Sequence, residues 1–463
     1  MRPLRIPLPL KSNGWTVPEH SSLAVDSLKS HLTLDNSRLV VLSKLFEPTS
    51  RVDCDSLEVE APTHPTHLWW WKQSAALLET LLTNAGTYTA EEKADHMRVF
   101  RDVVIPSWGP PQPSSKVTPL LTIDGSPFEP SWNFTPGKSI VRYTFEPLGD
   151  TAGTEEDPFG GLILPSMIPS LENVSTDVDL AWFKQIMDAW MVRGEEAKLA
   201  RANMPLQIDR VAQSFLAFDM KGSKRNLKAY FFPVLKHFAT GQSTEKLTFD
   251  LIRSLQPCGD LFAPVVAKLE NYLVNICPFS CPVEMIAIDC IDPTKARIKV
   301  YARSKSVSKA TLRNGVTLGG AQMNEMTMDS LKNLEKIWHL VFDERGGMME
   351  EQDKMPQNQK TIHHGICFVF EMRAGVEHID VKAHVPWVNY SESDMHAAAN
   401  FTSMLKLLGW DEAAANYVKG VSAVARLPGQ DYSKPGGISY WSYNYGGVGS
   451  YMSCYFSPKC NSS

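Results

Sequence analysis

Four short segments of this chain carry cations amid strand-like residues: Arg142 in IVRYTFEP, Lys228 in LKAYFFP, Arg297 and Lys299 in RIKVYA, and Lys382 in VKAHVP. A fifth, YMSCYFSP, carries Tyr451 and Tyr455 instead. The segments recur at intervals of roughly 70 to 90 residues, the signature of a repeated structural unit. Side chains two apart on a strand share a face, so Lys228 projects with Tyr230, and Arg297 with Lys299 and Tyr301. Their neighbours Ala229, Phe231, Ile298 and Val300 are apolar and need burial. The cationic and phenolic row therefore points the other way. Cations gathered from separate strands repel one another unless an anion neutralises them. A diphosphate suits that role, because Arg forks and Lys point charges both favour phosphate oxygens. The alternative is a sheet whose charged face meets solvent while helices cover the other.

Each cationic segment follows a first strand and a turn. QSFLAFDM leads through KGSKRN to LKAYFFPV, EMIAIDCI through DPTK to ARIKVYARS, GICFVFEM through RAGVE to HIDVKAHVPW, and GISYWSYNY through GGVG to SYMSCYFSP. The first couplet reads TPLLTIDGSPFEP, a turn-rich SWNFTPGK, then SIVRYTFEPL. β-Branched and aromatic runs bounded by Gly, Pro, Asp or Asn are hairpin signals. Apolar residues at helical spacing fill 69–82, 90–104, 177–202, 244–276 with a break near Pro257, 327–343 and 391–425. Asp329 sits near the expected N-cap of the 327–343 stretch. A parallel β/α barrel needs one strand per helix, not a hairpin per helical segment. Repeated ααββ units point instead to an α+β fold, a barrel of ten antiparallel strands ringed by helices and wide enough for a ligand. Residues 1–60 read as an irregular N-terminal segment and 61–463 as one barrel domain.

The 463 residues hold 46 Lys+Arg against 51 Asp+Glu, a net charge of −5, which argues against a broad cationic surface for nucleic acid. The opening MRPLRIPLPL is too short for a signal h-region, and no window reaches the roughly 18 apolar residues of a membrane span. Eight cysteines without CxxC read as reduced thiols of a cytoplasmic protein. His64 with His67, and His363 with His364, lack partners at metal-ligand spacing, so no metal is expected. Walker, GxGxxG, GxSxG and DDxxD motifs are absent from the sequence. The lack of heptads leaves monomer and homodimer both open. Glu129, in GSPFEP, reads by residue type alone as a surface carboxylate. Buried near a cation-rich chamber, it would stay ionised and could accept a proton.

In order and spacing, LWWW with its following helix, GSPFEP, RYTFEP, LKAYFFP, RIKVYA and the Tyr-rich C-terminal hairpin resemble the fungal dimethylallyltryptophan synthase family. The resemblance runs from about residue 65 to the C-terminus. It implies the ABBA prenyltransferase barrel and metal-independent transfer of a dimethylallyl group from dimethylallyl diphosphate to an indole-containing acceptor, with no cofactor. Diphosphate-binding cations then fall on Arg142, Lys228, Arg297 and Lys299, joined by Lys382. A shield of aromatic faces over the allylic cation falls on Tyr230, Tyr301, Tyr440 and Tyr455. The resemblance further implies acceptor contacts at Leu121, Thr122 and Glu129, with Glu129 holding the indole N–H and taking up a proton. Lys382 and His384 depart from the Gln-x-Tyr pair of many relatives, which opens the door to a reshaped donor pocket or a longer donor such as geranyl diphosphate. The loop between Glu129 and Arg142 looks longer than in some relatives. Other readings are a phenol, tyrosine or polyketide acceptor, and a non-catalytic barrel carrying a hydrophobic anion.

Overall fold

The computed structural model describes residues 58–208, 210–342, 349–357, 363–446 and 449–459. The irregular segment expected over 1–60 lies outside these, apart from its last three residues. Ten strands form one closed antiparallel barrel: β1 (Phe128–Thr135), β2 (Lys138–Phe145), β3 (Ser214–Lys221), β4 (Lys224–Phe231), β5 (Val283–Asp289), β6 (Arg297–Ser304), β7 (Ile366–Arg373), β8 (Asp380–Val385), β9 (Ile438–Gly446) and β10 (Gly449–Phe456). They are five hairpins in chain order, and β1 closes the ring against β10. Among the described residues, two or three α-helices precede each hairpin, some followed by a short 3-10 or π turn, in the manner of ααββ units. Among the described residues, no helix is long and apolar enough to cross a membrane.

The closure follows from alternation. One row of each strand is apolar and packs outward on the helices: Trp132, Phe145, Phe218, Ile298, Phe370 and Trp441 are all fully buried in the main core. Burying side chains of that size contributes about 1.5–3 kcal/mol each. The other row is polar and faces inward, so the barrel has a wet lining inside a dry belt. Closure also leaves no free strand edge.

Several boundaries differ from the sequence reading. The first strand begins at Phe128, not within TPLLTIDG, and most of the supposed loop SWNFTPGK is strand. A tight turn at Pro136–Gly137 joins β1 to β2, with Gly137 at φ 72°. The stretch between Glu129 and Arg142 is therefore the body of the β1–β2 hairpin. Pro130 masked the alternation that puts Glu129, Ser131 and Asn133 on one face. The longer helix of the fourth repeat, α1 (Glu325–Val341), is capped by Asn324, whose side chain accepts from the Thr327 N–H at 3.0 Å. Asp329 lies inside that helix, not at its cap. The 391–425 stretch divides into α2 (Asp394–Leu407) and α3 (Asp411–Val424), because Gly409 at φ 79° turns the chain between them.

Gly420 of α3 lies against Trp132 of β1, where an added Cβ would come 2.3 Å from the indole ring. Gly420→Ala gains about 1 kcal/mol of helix propensity but incurs overpacking that typically costs about 1–3 kcal/mol. The thermal midpoint at a fixed scan rate is expected to fall. A rise would mean the β1–α3 contact is looser than described.

Candidate active site

The strand register sorts the inward row into layers. Arg142, Lys228, Lys299 and Lys382 occupy equivalent positions on the second strands of four hairpins, and Ser453 holds that position in the fifth. Across each seam between hairpins the cation meets a carboxylate on the next first strand: Arg142 opposite Asp219, Lys228 opposite Asp289, and Lys299 opposite Glu371. In the remaining two repeats the acidic position is Asn133 or Asn444. Two residues further along the second strands come Tyr230, Tyr301, His384 and Tyr455, with Thr144 in the first repeat.

Distances match the register. Arg142 Nε lies 3.1 Å from Asp219 and its Nη1 donates to Asn133 Oδ1 at 3.0 Å. Lys228 Nζ donates to Asp219 and lies 4.0 Å from Asp289. Arg297 grips both oxygens of Asp289 and reaches Glu371 at 3.3 Å, while Lys299 lies 3.5 Å from Glu371. Lys382 meets no carboxylate at ion-pairing distance among the described residues. It donates to Tyr455 Oη at 2.9 Å and lies over the Tyr451 and Tyr455 rings at 5.6 and 5.5 Å. Five cations thus face three carboxylates. The rim pair Arg373–Asp380, at 2.8 Å, leaves that surplus of two positive charges unchanged.

Burial alone would raise Asp219 and Asp289, yet the cations beside them hold both well below the usual carboxylate range. Burial pushes the Lys228 ammonium down, aided by Lys299 and Arg142 and opposed by Asp219. Lys382 is held up against burial by Tyr455 and Tyr451, and Tyr455 is correspondingly lowered despite its burial. The ring is an anion site in waiting: preorganised donors with more positive charge than the protein itself neutralises.

All five predicted cations converge here, and Arg142, Lys228, Lys299 and Lys382 line one enclosed pocket with Tyr230, Tyr301 and Tyr455. Arg297 stands just below, bound to the carboxylates that hold its neighbours. Tyr440 does not line this pocket. It stacks on His384 with ring centroids 4.5 Å apart, towards Glu129. Tyr451 lines the pocket in its place, over Arg142 and Lys382.

Glu129 projects into the barrel, 6% exposed, and accepts from Ser439 Oγ at 2.7 Å. It is not kept ionised by the cations, as a carboxylate near them was expected to be. Desolvation dominates, pushing its carboxyl up to about 8 against the Ser439 bond. Glu129 therefore stands at the neutral end of the chamber, apart from the ion pairs. The Thr122 hydroxyl bonds Asp124 at 2.6 Å and both the N–H and C=O of Ser126 at 2.8 Å. It fixes the turn that leads into β1. Leu121 beside it is half-buried.

The residues missed in the sequence are the carboxylates. Asp219 in FLAFD, Asp289 in MIAID and Glu371 in FVFE recur as regularly as the cations, each near the end of a first strand. That periodicity was the available signal. The described residues include no group of three or more His, Cys, Asp or Glu placed to hold a metal ion.

A family model described as tryptophan dimethylallyltransferase matches residues 66–420. The indole diterpene prenyltransferase terF of Tolypocladium album is 32% identical over 407 residues, covering 84% of this chain and 93% of that protein. The O-glucose prenyltransferase PaPT of Phomopsis amygdali is 31% identical over 408 residues, covering 84% and 88%. Among solved structures, AnaPT from Neosartorya fischeri shares the fold, with a TM-score of 0.74 at 24% identity over 86% of this chain and 95% of its own. The layered barrel and a family match spanning most of the sequence lead to one conclusion: this chain belongs to the tryptophan dimethylallyltransferase family.

Proposed function

We propose that this protein transfers a dimethylallyl group from dimethylallyl diphosphate to an indole-bearing acceptor, without a metal ion. The observation that carries the reading is the ring of five cations against three carboxylates, one strand-step from a row of tyrosines. Ionising the allylic diphosphate breaks a C–O bond and leaves negative charge on the diphosphate. Arg142, Lys228, Arg297, Lys299 and Lys382 stabilise that charge as it develops, the role a divalent metal plays elsewhere. Tyr230, Tyr301 and Tyr455 turn π faces to the allylic cation and exclude water. The acceptor lies towards Glu129, which takes the indole N–H as a hydrogen bond and strengthens the ring as a nucleophile.

A second reading, transfer to a hydroxyl acceptor, is favoured by the relative named as an O-glucose prenyltransferase at 31% identity. Incubation with dimethylallyl diphosphate in EDTA, against a panel of indoles, phenols and glycosides, separates the two by which acceptor gains one prenyl mass. Geranyl diphosphate in parallel tests the longer donor. Donor binding with no product from any acceptor would leave only a ligand-carrying barrel.

Two variants assign the ends of the chamber. Lys299→Ala is expected to weaken donor binding by about 10- to 100-fold, the range of a hydrogen bond to a charged group, with acceptor affinity unchanged. A change confined to the acceptor KM would contradict the diphosphate assignment. Glu129→Gln is expected to lower turnover by about 100-fold or more. Because Glu129 is protonated below about 8 and ionised above it, acceptor kcat/KM at saturating donor should climb as pH passes that value. The climb should vanish in Glu129→Gln; its persistence would show that another group titrates.

A further inference from the structure

Acceptor and donor ends of the chamber are joined by a chain of contacts through one side chain with no role yet. Ser439 binds Glu129, and the adjacent Tyr440 stacks on His384. His384 faces Tyr455 with centroids 4.9 Å apart, and Tyr455 Oη accepts from Lys382. His384 therefore stands between the residue that holds the acceptor and the cation that holds the donor. Its Nε2 is buried and has no hydrogen-bond partner among the described residues. Folded proteins pair such atoms nearly always, and His384 shares the inward row with Tyr455 and Lys382, so this nitrogen is open to a group held inside the barrel. Burial, with Lys382 and Arg303 close by, keeps the imidazole neutral and so able to accept a proton.

The reaction needs that capacity. After the ring attacks the allylic cation, the attacked carbon carries both the new C–C bond and its original hydrogen. The other charged groups of the chamber that could take a proton are engaged. Asp219, Asp289 and Glu371 are ion-paired, Glu284 holds Arg303 at 2.7 Å, Lys228 donates to Asp219, and Glu129 serves the indole N–H. We propose that His384 is the catalytic base that removes the ring proton. The C–H bond breaks, its electron pair returns to the ring and restores aromaticity, and the proton moves to Nε2. The imidazolium passes it to the departing diphosphate, whose C–O bonding pair left with it at ionisation. This role rests on the prenyl transfer proposed above.

The test uses the acceptor that the wild-type protein prenylates best, deuterated at the attacked carbon, with His384→Gln and His384→Ala. Calorimetry with dimethylallyl thiolodiphosphate confirms that each variant is folded and binds donor as wild type does. Turnover is expected to fall about 100-fold or more, with general-base loss as the cause. The isotope effect on kcat should grow from near unity to a clear normal effect, and imidazole in the buffer should restore His384→Ala. A variant that keeps wild-type turnover, or that slows without an isotope effect or rescue, overturns the role of His384 alone. Absence of product from the wild-type protein with every acceptor overturns prenyl transfer and this role together.

Discussion

Charge buried inside a closed barrel is the constraint on which the rest of this structure depends. Moving an ion out of water costs several kcal/mol even after the protein relaxes, so an inward row of cations needs compensation built into the same fold. The barrel supplies it through register. Arg142 faces Asp219, Lys228 faces Asp289 and Lys299 faces Glu371, each across a seam between hairpins. A slip of one residue would turn the inward charges into the helical belt and the outward apolar row into the chamber. The apolar outer row and the polar inner row therefore enforce a single arrangement together. Compensation stops short of neutrality, because Asn133 and Asn444 stand where two further acids would sit.

That asymmetry divides the chamber. The ionic half carries the donor's charge, while Glu129, Tyr440 and His384 form a half where burial keeps Glu129 neutral, and burial together with Lys382 and Arg303 keeps His384 neutral. An allylic cation formed at the boundary meets π faces on one side and an aromatic nucleophile on the other. The chemistry follows from two opposite electrostatic environments one strand-step apart.

Much of this was legible in the sequence. The five couplets, the inward cations and the ten-strand barrel follow from period-two alternation and its recurrence. The first strand was misplaced because Pro130 interrupts FEPSWNFT and hid the face shared by Glu129, Ser131 and Asn133. Asp219, Asp289 and Glu371 were passed over because a lone acid in an apolar strand carries no meaning until its cross-strand partner is known. Register is a long-range property, and no local window contains it. The state of Glu129 was misjudged for a related reason: desolvation depends on the packing around Ser439 and β9, not on nearby charges in the sequence.

A crystal structure with dimethylallyl thiolodiphosphate bound tests the central claim most directly. The account places diphosphate oxygens within about 3 Å of Arg142, Lys228, Lys299 and Lys382, with the allyl group bordered by Tyr230, Tyr301 and Tyr455. An analogue seated outside the barrel, with those cations still held only by Asp219, Asp289, Glu371 and Tyr455, would contradict it.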